Sequence, residues 1–211
     1  MKTLWLARHG QSLSNAVRRF QGTQDIALSD LGRRQAVALS AGLRGRTVAH
    51  VYASPLERAR LTAEVVVAEH GMPLTLVDDL RELSLGDWEG RTVAEVRALP
   101  GDPYGCWVRD PVGGCPPNGE PLDRVQARVV EAIEAIAATH PDGEDVLVVC
   151  HGGVISAYLA HCFGLPLSSI WRVTVANGSL SAVLPPRVLS VNDTGHLAGI
   201  EVGTGAPSLG P

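Results

Sequence analysis

Four short apolar runs without polar alternation, Thr3–Ala7, Val48–Ala53, Leu74–Val77 and Val146–Cys150, limit most strongly what this chain can fold into. A strand solvated on one face alternates apolar and polar side chains, whereas a strand covered on both faces reads as continuous Val, Leu and Ala. Ser179–Leu184 and Arg187–Val191 read as two further strands. Helical spacing lies between the runs. Asp30 to Arg33 opens a helix with Ala36, Leu39 and Leu43 on one face; Leu61, Val65 and Ala68 mark a second; Val125, Val129, Ile133 and Ile136 mark a third. Strands alternating with helices predict an α/β fold with a mainly parallel sheet covered on both sides, and ligands in such folds gather where the carboxyl ends of strands meet loops.

The sequence has 211 residues and no fixed-period repeat, which predicts one domain over residues 1–202. Residues 86–121, rich in Pro and Gly toward their end, predict a partial lid inserted into that domain, because long loops in compact domains usually carry function. Residues 203–211 predict a loose Gly/Pro-rich tail. Eighteen basic against twenty-two acidic residues give a net charge of −4, so no global positive field exists for nucleic acid or an anionic membrane. Any anion site must be local. Lys2 is the only lysine, which excludes Walker-type phosphate binding, kinase chemistry and Schiff-base catalysis. Aromatic residues make up 4%, too few for a base-stacking platform. The first residues have too short an apolar run for a signal peptide and no stretch is long enough to span a bilayer, so the expected compartment is the cytoplasm. Cys106, Cys115, Cys150 and Cys162 form neither a C-x-x-C pair nor a dense framework and read as reduced thiols. No metal site is expected, since Cys150-His151 and His161-Cys162 are adjacent pairs without the usual ligand spacing.

Four segments place reactive side chains at predicted strand ends. Arg8-His9-Gly10-Gln11-Ser12 follows the first strand, and Cys150-His151-Gly152-Gly153 ends the fourth and leads into a helix over Val154–Cys162. A glycine after each histidine lets backbone approach a ligand closely, and a helix start offers N–H donors to an anion. Either histidine alone reads first as a structural one; two, each at a strand end and each followed by glycine, point to a shared site. Ser54-Pro55-Leu56-Glu57-Arg58 puts an arginine in the first turn of a helix, where the dipole disfavours a cation unless an anion shares the site. Arg60, two residues on, cannot share that face and reads as a solvated residue. Glu82 lies nearest the end of the third strand, with Asp87 and Glu89 as competing carboxylates that spacing does not separate. Arginine forks bind phosphate oxygens and stay charged. A neutral histidine can attack phosphorus while a protonated carboxyl serves the leaving oxygen. The set points to phosphoryl chemistry without a metal.

These segments resemble the histidine phosphatase superfamily in its phosphoglycerate-mutase-like branch, on Arg8-His9-Gly10-Gln11-Ser12, Ser54-Pro55-Leu56-Glu57-Arg58-Ala59, the Glu82 segment and Cys150-His151-Gly152-Gly153. The likeness extends through Phe20-Gln21-Gly22, Asp25–Leu28 to Gly32, Gly119-Glu120, Asn192-Asp193-Thr194 and His196-Leu197. It implies a three-layer α/β/α sandwich and no cofactor. His9 would be the phosphorylated nucleophile and Glu82 the general acid, then base; Arg8, Arg58 and His151 would hold the phosphoryl group, with Asn15, Gln21, Gly22 and the Gly152 backbone in support. The partner implied is a small phosphorylated metabolite, and a homodimer is compatible with the sequence. The alternatives are a bisphosphoglycerate-dependent phosphoglycerate mutase and a phospholigand-binding pseudoenzyme. Mutase members carry Glu-Arg-His-Tyr-Gly where this chain has Glu82-Leu83-Ser84-Leu85-Gly86, a lysine where it has Arg91, and adjacent arginines where it has Val108-Arg109. Losing those partners of a second charged group costs about a kcal/mol or more each, which favours hydrolysis. In the phosphatase reading Trp88, Tyr104 and Trp107 either line the lid as an apolar wall or anchor it to the core. A neutral His9 and a protonated Glu82 predict a bell-shaped rate profile with an acidic to neutral optimum.

Overall fold

In a computed structural model, described for residues 3–140 and 143–202, the sheet has six strands in the order β3-β2-β4-β1-β5-β6. These are β1 (Leu4–Arg8), β2 (Val48–Ala53), β3 (Leu74–Leu76), β4 (Asp145–Cys150), β5 (Leu180–Leu184) and β6 (Arg187–Asp193). The first four run parallel, and β5 and β6 add an antiparallel hairpin beside β1. The expected tail, 203–211, lies outside the described residues.

The central strands bear out the reading of their apolar runs. Every residue of β4 from Val146 to Cys150 is fully buried, and its side chains alternate between two cores. Leu147 and Val149 meet Leu39 and Leu43 from α2 (Asp30–Gly42, with Leu43 capping it) and Ala59, Ala63 and Val66 from α3 (Glu57–His70). Val146 and Val148 share the opposite core with Val125, Val129 and Ile133 of α6 (Leu122–Thr139) and Val154 and Ile155 of α7 (Gly152–Cys162). The result is an α/β/α sandwich, and each buried Val or Leu contributes about 1.5–3 kcal/mol to it. Among the described residues no helix is long and apolar enough to cross a membrane.

Two sequence expectations need correction. β3 and β6 are the sheet's edges, and Thr75, Leu76 and Leu189 are exposed, so their apolar character does not report burial on both faces. In α3 the buried residues are Arg58, Ala59, Thr62, Ala63 and Val66, while Leu61 and Val65 are half-buried and Ala68 is exposed. Small side chains let this helix lie close to the sheet, and the face is set by burying Arg58 rather than by the largest aliphatics. Segment 86–121 folds into short helices α4 (Val93–Arg97) and α5 (Pro103–Arg109), and its Trp88, Tyr104 and Trp107 are buried. They pack in the main core with Phe20 and Trp171, so of the two alternatives for these residues the packing is that of core anchors.

The loop after β1 is pressed between strand and helix. A methyl on Gly10 would collide with the Gly32 carbonyl in the first turn of α2, and one on Gly32 with the Gln11 carbonyl. Both obstacles are backbone and cannot swing aside. Gly32→Ala is therefore expected to lower the free energy of unfolding by about 1–3 kcal/mol. Urea denaturation followed by circular dichroism measures this, and an unchanged midpoint would show that the close approach does not exist.

Candidate active site

The register of β1 on β4 pairs Arg8 with Cys150, so the next residue of each strand, His9 and His151, leaves the sheet at the same level. The His9 N–H donates to the Cys150 carbonyl at 3.0 Å, and the Ser54 N–H, at the end of β2, donates to that of Val149 at 3.0 Å. The two imidazole rings lie 5.1 Å apart between centroids. Their position at the carboxyl edge of β1, β2 and β4 is the expected one for an α/β sheet.

His9 is held at both its ring and its backbone. Its Nδ1 is 2.6 Å from the Gly10 carbonyl oxygen. A carbonyl only accepts, so Nδ1 carries the proton and a neutral ring keeps its lone pair on Nε2. The His9 carbonyl accepts from Gly178 N at 3.1 Å and from Asn177 Nδ2 at 3.2 Å. Thr62 Oγ1 accepts from Gly10 N at 3.1 Å and donates to the Arg58 carbonyl at 2.7 Å, joining α3 to the His9 loop.

Two guanidinium groups flank the rings. Arg8 is buried and donates through Nη1 to the Val175 carbonyl at 2.6 Å. Arg58 is fully buried; its Nη1 and Nη2 donate to the carbonyls of Gln24 (2.8 Å) and Gly22 (2.7 Å), while its Nε has no hydrogen-bond partner among the described residues. Burial lowers both arginines to about 10, opposed by the Glu82 carboxylate, so both remain cationic at neutral pH. The same arginines bear on the histidines. Burial first, then Arg58 and Arg8, push His9 well below its ordinary 6.5, and burial, Arg58, His9 and Arg8 do the same to His151. Both rings are therefore neutral at pH 7. Burial pushes the neighbouring Cys150 thiol up, which keeps it protonated and unreactive.

Helix α7 closes the arrangement, and its two leading glycines each make room for a functional side chain. A methyl on Gly152 would lie 3.2 Å from the Arg8 Cζ, and one on Gly153 2.5 Å from Leu83 Cδ2 and 2.6 Å from the Glu82 Oε1. Glu82 Oε2 accepts from Gly153 N at 3.2 Å and Oε1 from Leu83 N at 3.1 Å, so this carboxylate sits on the positive end of the helix. His151 Nε2 is 2.8 Å from Ser54 Oγ, whose oxygen also accepts from Leu56 N at 3.3 Å, and His151 Nδ1 is buried without a partner among the described residues.

The structure thus brings Arg8, His9, Arg58, Glu82, His151 and Gly152 together. It also separates the competing carboxylates. Asp87 is exposed and accepts from Asn118 Nδ2 at 3.1 Å, while Glu89 is consumed by Thr23, Ser84 and Leu85. Arg60 pairs with Glu64 at 2.7 Å on the surface of α3, as its spacing suggested. Gly22 adopts a positive φ of 49° and its carbonyl accepts from Arg58 Nη2. Gln21 and Asn15 adjoin Ser12 at the start of α1 (Leu13–Ala16), where Ser12 Oγ donates to Gln21 Oε1 at 2.7 Å. Ser54, Thr62 and Asn177 are the supporting residues that sequence reasoning passed over. Ser54 stood in a quoted motif at a strand end, and Asn177-Gly178 reads locally only as a turn.

The sequence matches the histidine phosphatase superfamily (branch 1) over residues 4–187. The chain belongs to that superfamily. Among its relatives, the adenosylcobalamin/alpha-ribazole phosphatase of Salmonella typhimurium is 33% identical over 180 residues, covering 85% of this chain and 89% of the relative. A protein of Erwinia tasmaniensis named probable phosphoglycerate mutase GpmB is 33% identical over 183 residues, covering 87% of this chain and 85% of the relative. The structure of a mycobacterial glucosyl-3-phosphoglycerate phosphatase complexed with VO3 superposes with a TM-score of 0.85 at 31% identity, over 92% of this chain and all of the other. This histidine phosphatase shares with it the α/β/α architecture.

The depressed histidines tie stability to pH. In the unfolded chain they take up protons near 6.5, where the folded protein still refuses them, so their contribution is complete above that value and is lost as pH falls toward their folded values. The urea midpoint is expected to drop between about pH 7.5 and pH 5.5, and to drop less in the double variant His9→Asn/His151→Asn. Identical slopes in the two proteins would assign the acid sensitivity to other groups.

Proposed function

We propose that this phosphatase hydrolyses small organic phosphomonoesters through a phosphohistidine on His9, with Glu82 as general acid and then base. The observation that carries the reading is Arg58, a wholly buried cation with an unpartnered Nε beside a neutral imidazole whose lone pair is on Nε2. Leaving a buried charged donor unpaired costs more than most single interactions return, and a phosphoryl dianion supplies both the charge and the acceptors.

In the first step His9 Nε2 gives its lone pair to phosphorus, the bond from phosphorus to the ester oxygen breaks, and the Glu82 carboxyl passes its proton to the departing oxygen. In the second, Glu82 as carboxylate takes a proton from water as the water oxygen attacks phosphorus, and the P–N bond breaks to regenerate neutral His9. Arg8 and Arg58 neutralise the equatorial oxygens throughout, a positioning and electrostatic task that leaves no charge to be reorganised. With Ser54 Oγ accepting from Leu56 N, its own proton can go to His151 Nε2, and that tautomer leaves Nδ1–H to donate to a phosphoryl oxygen. The substrate in this proposal is a small phosphorylated metabolite of the cytoplasm, and Leu83, Ser84 and Leu85 in place of a mutase's charged and tyrosyl partners support hydrolysis over phosphate migration.

Hydrolysis of an aryl phosphate in excess chelator tests the reading. His9→Ala should lose at least about a thousandfold in kcat/KM, and equal rates in the two proteins would refute the nucleophile. Glu82→Gln should cost about 10²–10⁴-fold with alkyl phosphates and far less with aryl phosphates, whose leaving group scarcely needs a proton. Gly153→Ala, whose methyl would collide with Leu83 Cδ2 and with the Glu82 carboxylate, should reproduce that alkyl-selective loss. A uniform loss in both variants would remove Glu82 from the acid role. Because burial and the two arginines keep His9 unprotonated below 6.5, the acid limb of kcat/KM should not begin at that value; a limb with its midpoint at or above 6.5 would show that the ring is not depressed.

A further inference from the structure

We propose that Asn177 is a positioning residue for phosphate binding, which acts by orienting the Asn15 side-chain amide from behind. The proposal rests on the His9 site binding a phosphoryl group. Asn177 is fully buried at the turn that leads into β5, on the opposite side of β1 from His151. Its Nδ2 donates to the His9 carbonyl at 3.2 Å and to Asn15 Oδ1 at 3.2 Å.

Backbone groups decide which way each amide faces. The His9 carbonyl can only accept, so the atom of Asn177 beside it is the amino nitrogen. The Ser12 N–H can only donate, and it donates to Asn15 at 3.1 Å, so the Asn15 atom facing the cap is the oxygen. Asn177 adds a second donor to that oxygen. The same cap treats Gln21 in the same manner: Ser12 Oγ accepts from Asn15 N at 3.1 Å and spends its proton on Gln21 Oε1 at 2.7 Å. Both side-chain oxygens are thereby engaged by donors of this network, which fixes the sense of each amide. An anion needs donors and is repelled by carbonyl oxygens, so the sense in which these amides are pinned matters more than their mere presence. Asn177 is the one member of this network that arrives from the far end of the sequence, and it secures the nucleophile's backbone with the same nitrogen.

A double-mutant cycle on the intact chain separates this role from a general structural one, with orthovanadate as the probe and titration calorimetry as the readout. Asn177→Ala and Asn15→Ala should each weaken orthovanadate binding about tenfold, the scale of one hydrogen bond to a charged group. In the Asn15→Ala background, Asn177→Ala should then cost less than about twofold, because its effect is transmitted through the amide already removed. Equal losses in both backgrounds, or no loss in either, would overturn the proposal. Should Asn177→Ala fail to fold, Asn177→Ser carries the same cycle with the same criteria. Absence of orthovanadate binding by the wild-type chain would overturn the phosphoryl-site reading itself, and that outcome is distinct from an additive cycle.

Discussion

The parallel ladder between β1 and β4 is the interaction on which the site depends. One backbone bond, from the His9 N–H to the Cys150 carbonyl, carries the register past the last paired residues and sets two imidazoles side by side. A slip of one residue along either strand would send one ring to the other face of the sheet. The apolar side chains of β4 prevent that slip, since Leu147 and Val149 belong to one core and Val146 and Val148 to the other. Packing free energy of the sandwich is therefore what holds the two rings side by side.

Around that pair the charges are arranged so that cations persist and imidazoles stay neutral. Burial alone would destabilise every ionised group here, but an arginine loses only part of its large margin while a histidine, close to neutrality to begin with, is driven well below 6.5. The two effects reinforce each other, because each guanidinium further discourages a proton on the rings. Carbonyls of Gly22, Gln24 and Val175 hold the guanidinium groups without neutralising them. A carboxylate in the same places would cancel the field that a phosphoryl dianion requires. The local cationic pocket thus coexists with a net charge of −4 on the whole chain.

Glycine placement completes the design in a physical sense. Gly152 and Gly153 are helical residues beside which Arg8 and the pair Glu82 and Leu83 pack, so the start of α7 is filled by side chains from β1 and from the loop after β3. The segment from 86 to 121 contributes differently. Its tryptophans and Tyr104 are spent on the core, which leaves Glu89 to bind the Thr23 and Leu85 backbones and so steady the loop whose Gly22 carbonyl holds Arg58.

The sequence alone determined the layered fold and most of the site. Continuous apolar runs report burial on both faces wherever a strand is central, and a histidine directly after such a run must emerge at the sheet's carboxyl edge. The motif likeness then singled out His9, Arg58, Glu82 and His151. Spacing alone did not separate Glu82 from Asp87 and Glu89; the contact of Glu82 with the first turn of α7, between residues 71 positions apart, is visible only in the tertiary structure. Tertiary structure also decided the buried face of α3, where the depth of Arg58 outweighs the size of Leu61, and the inward turn of the aromatic residues in 86–121. Asn177 belongs with these. Its local signal is that of an ordinary turn, and its bonds to His9 and Asn15 span more than 160 residues of chain, a proximity that only the closed sheet creates.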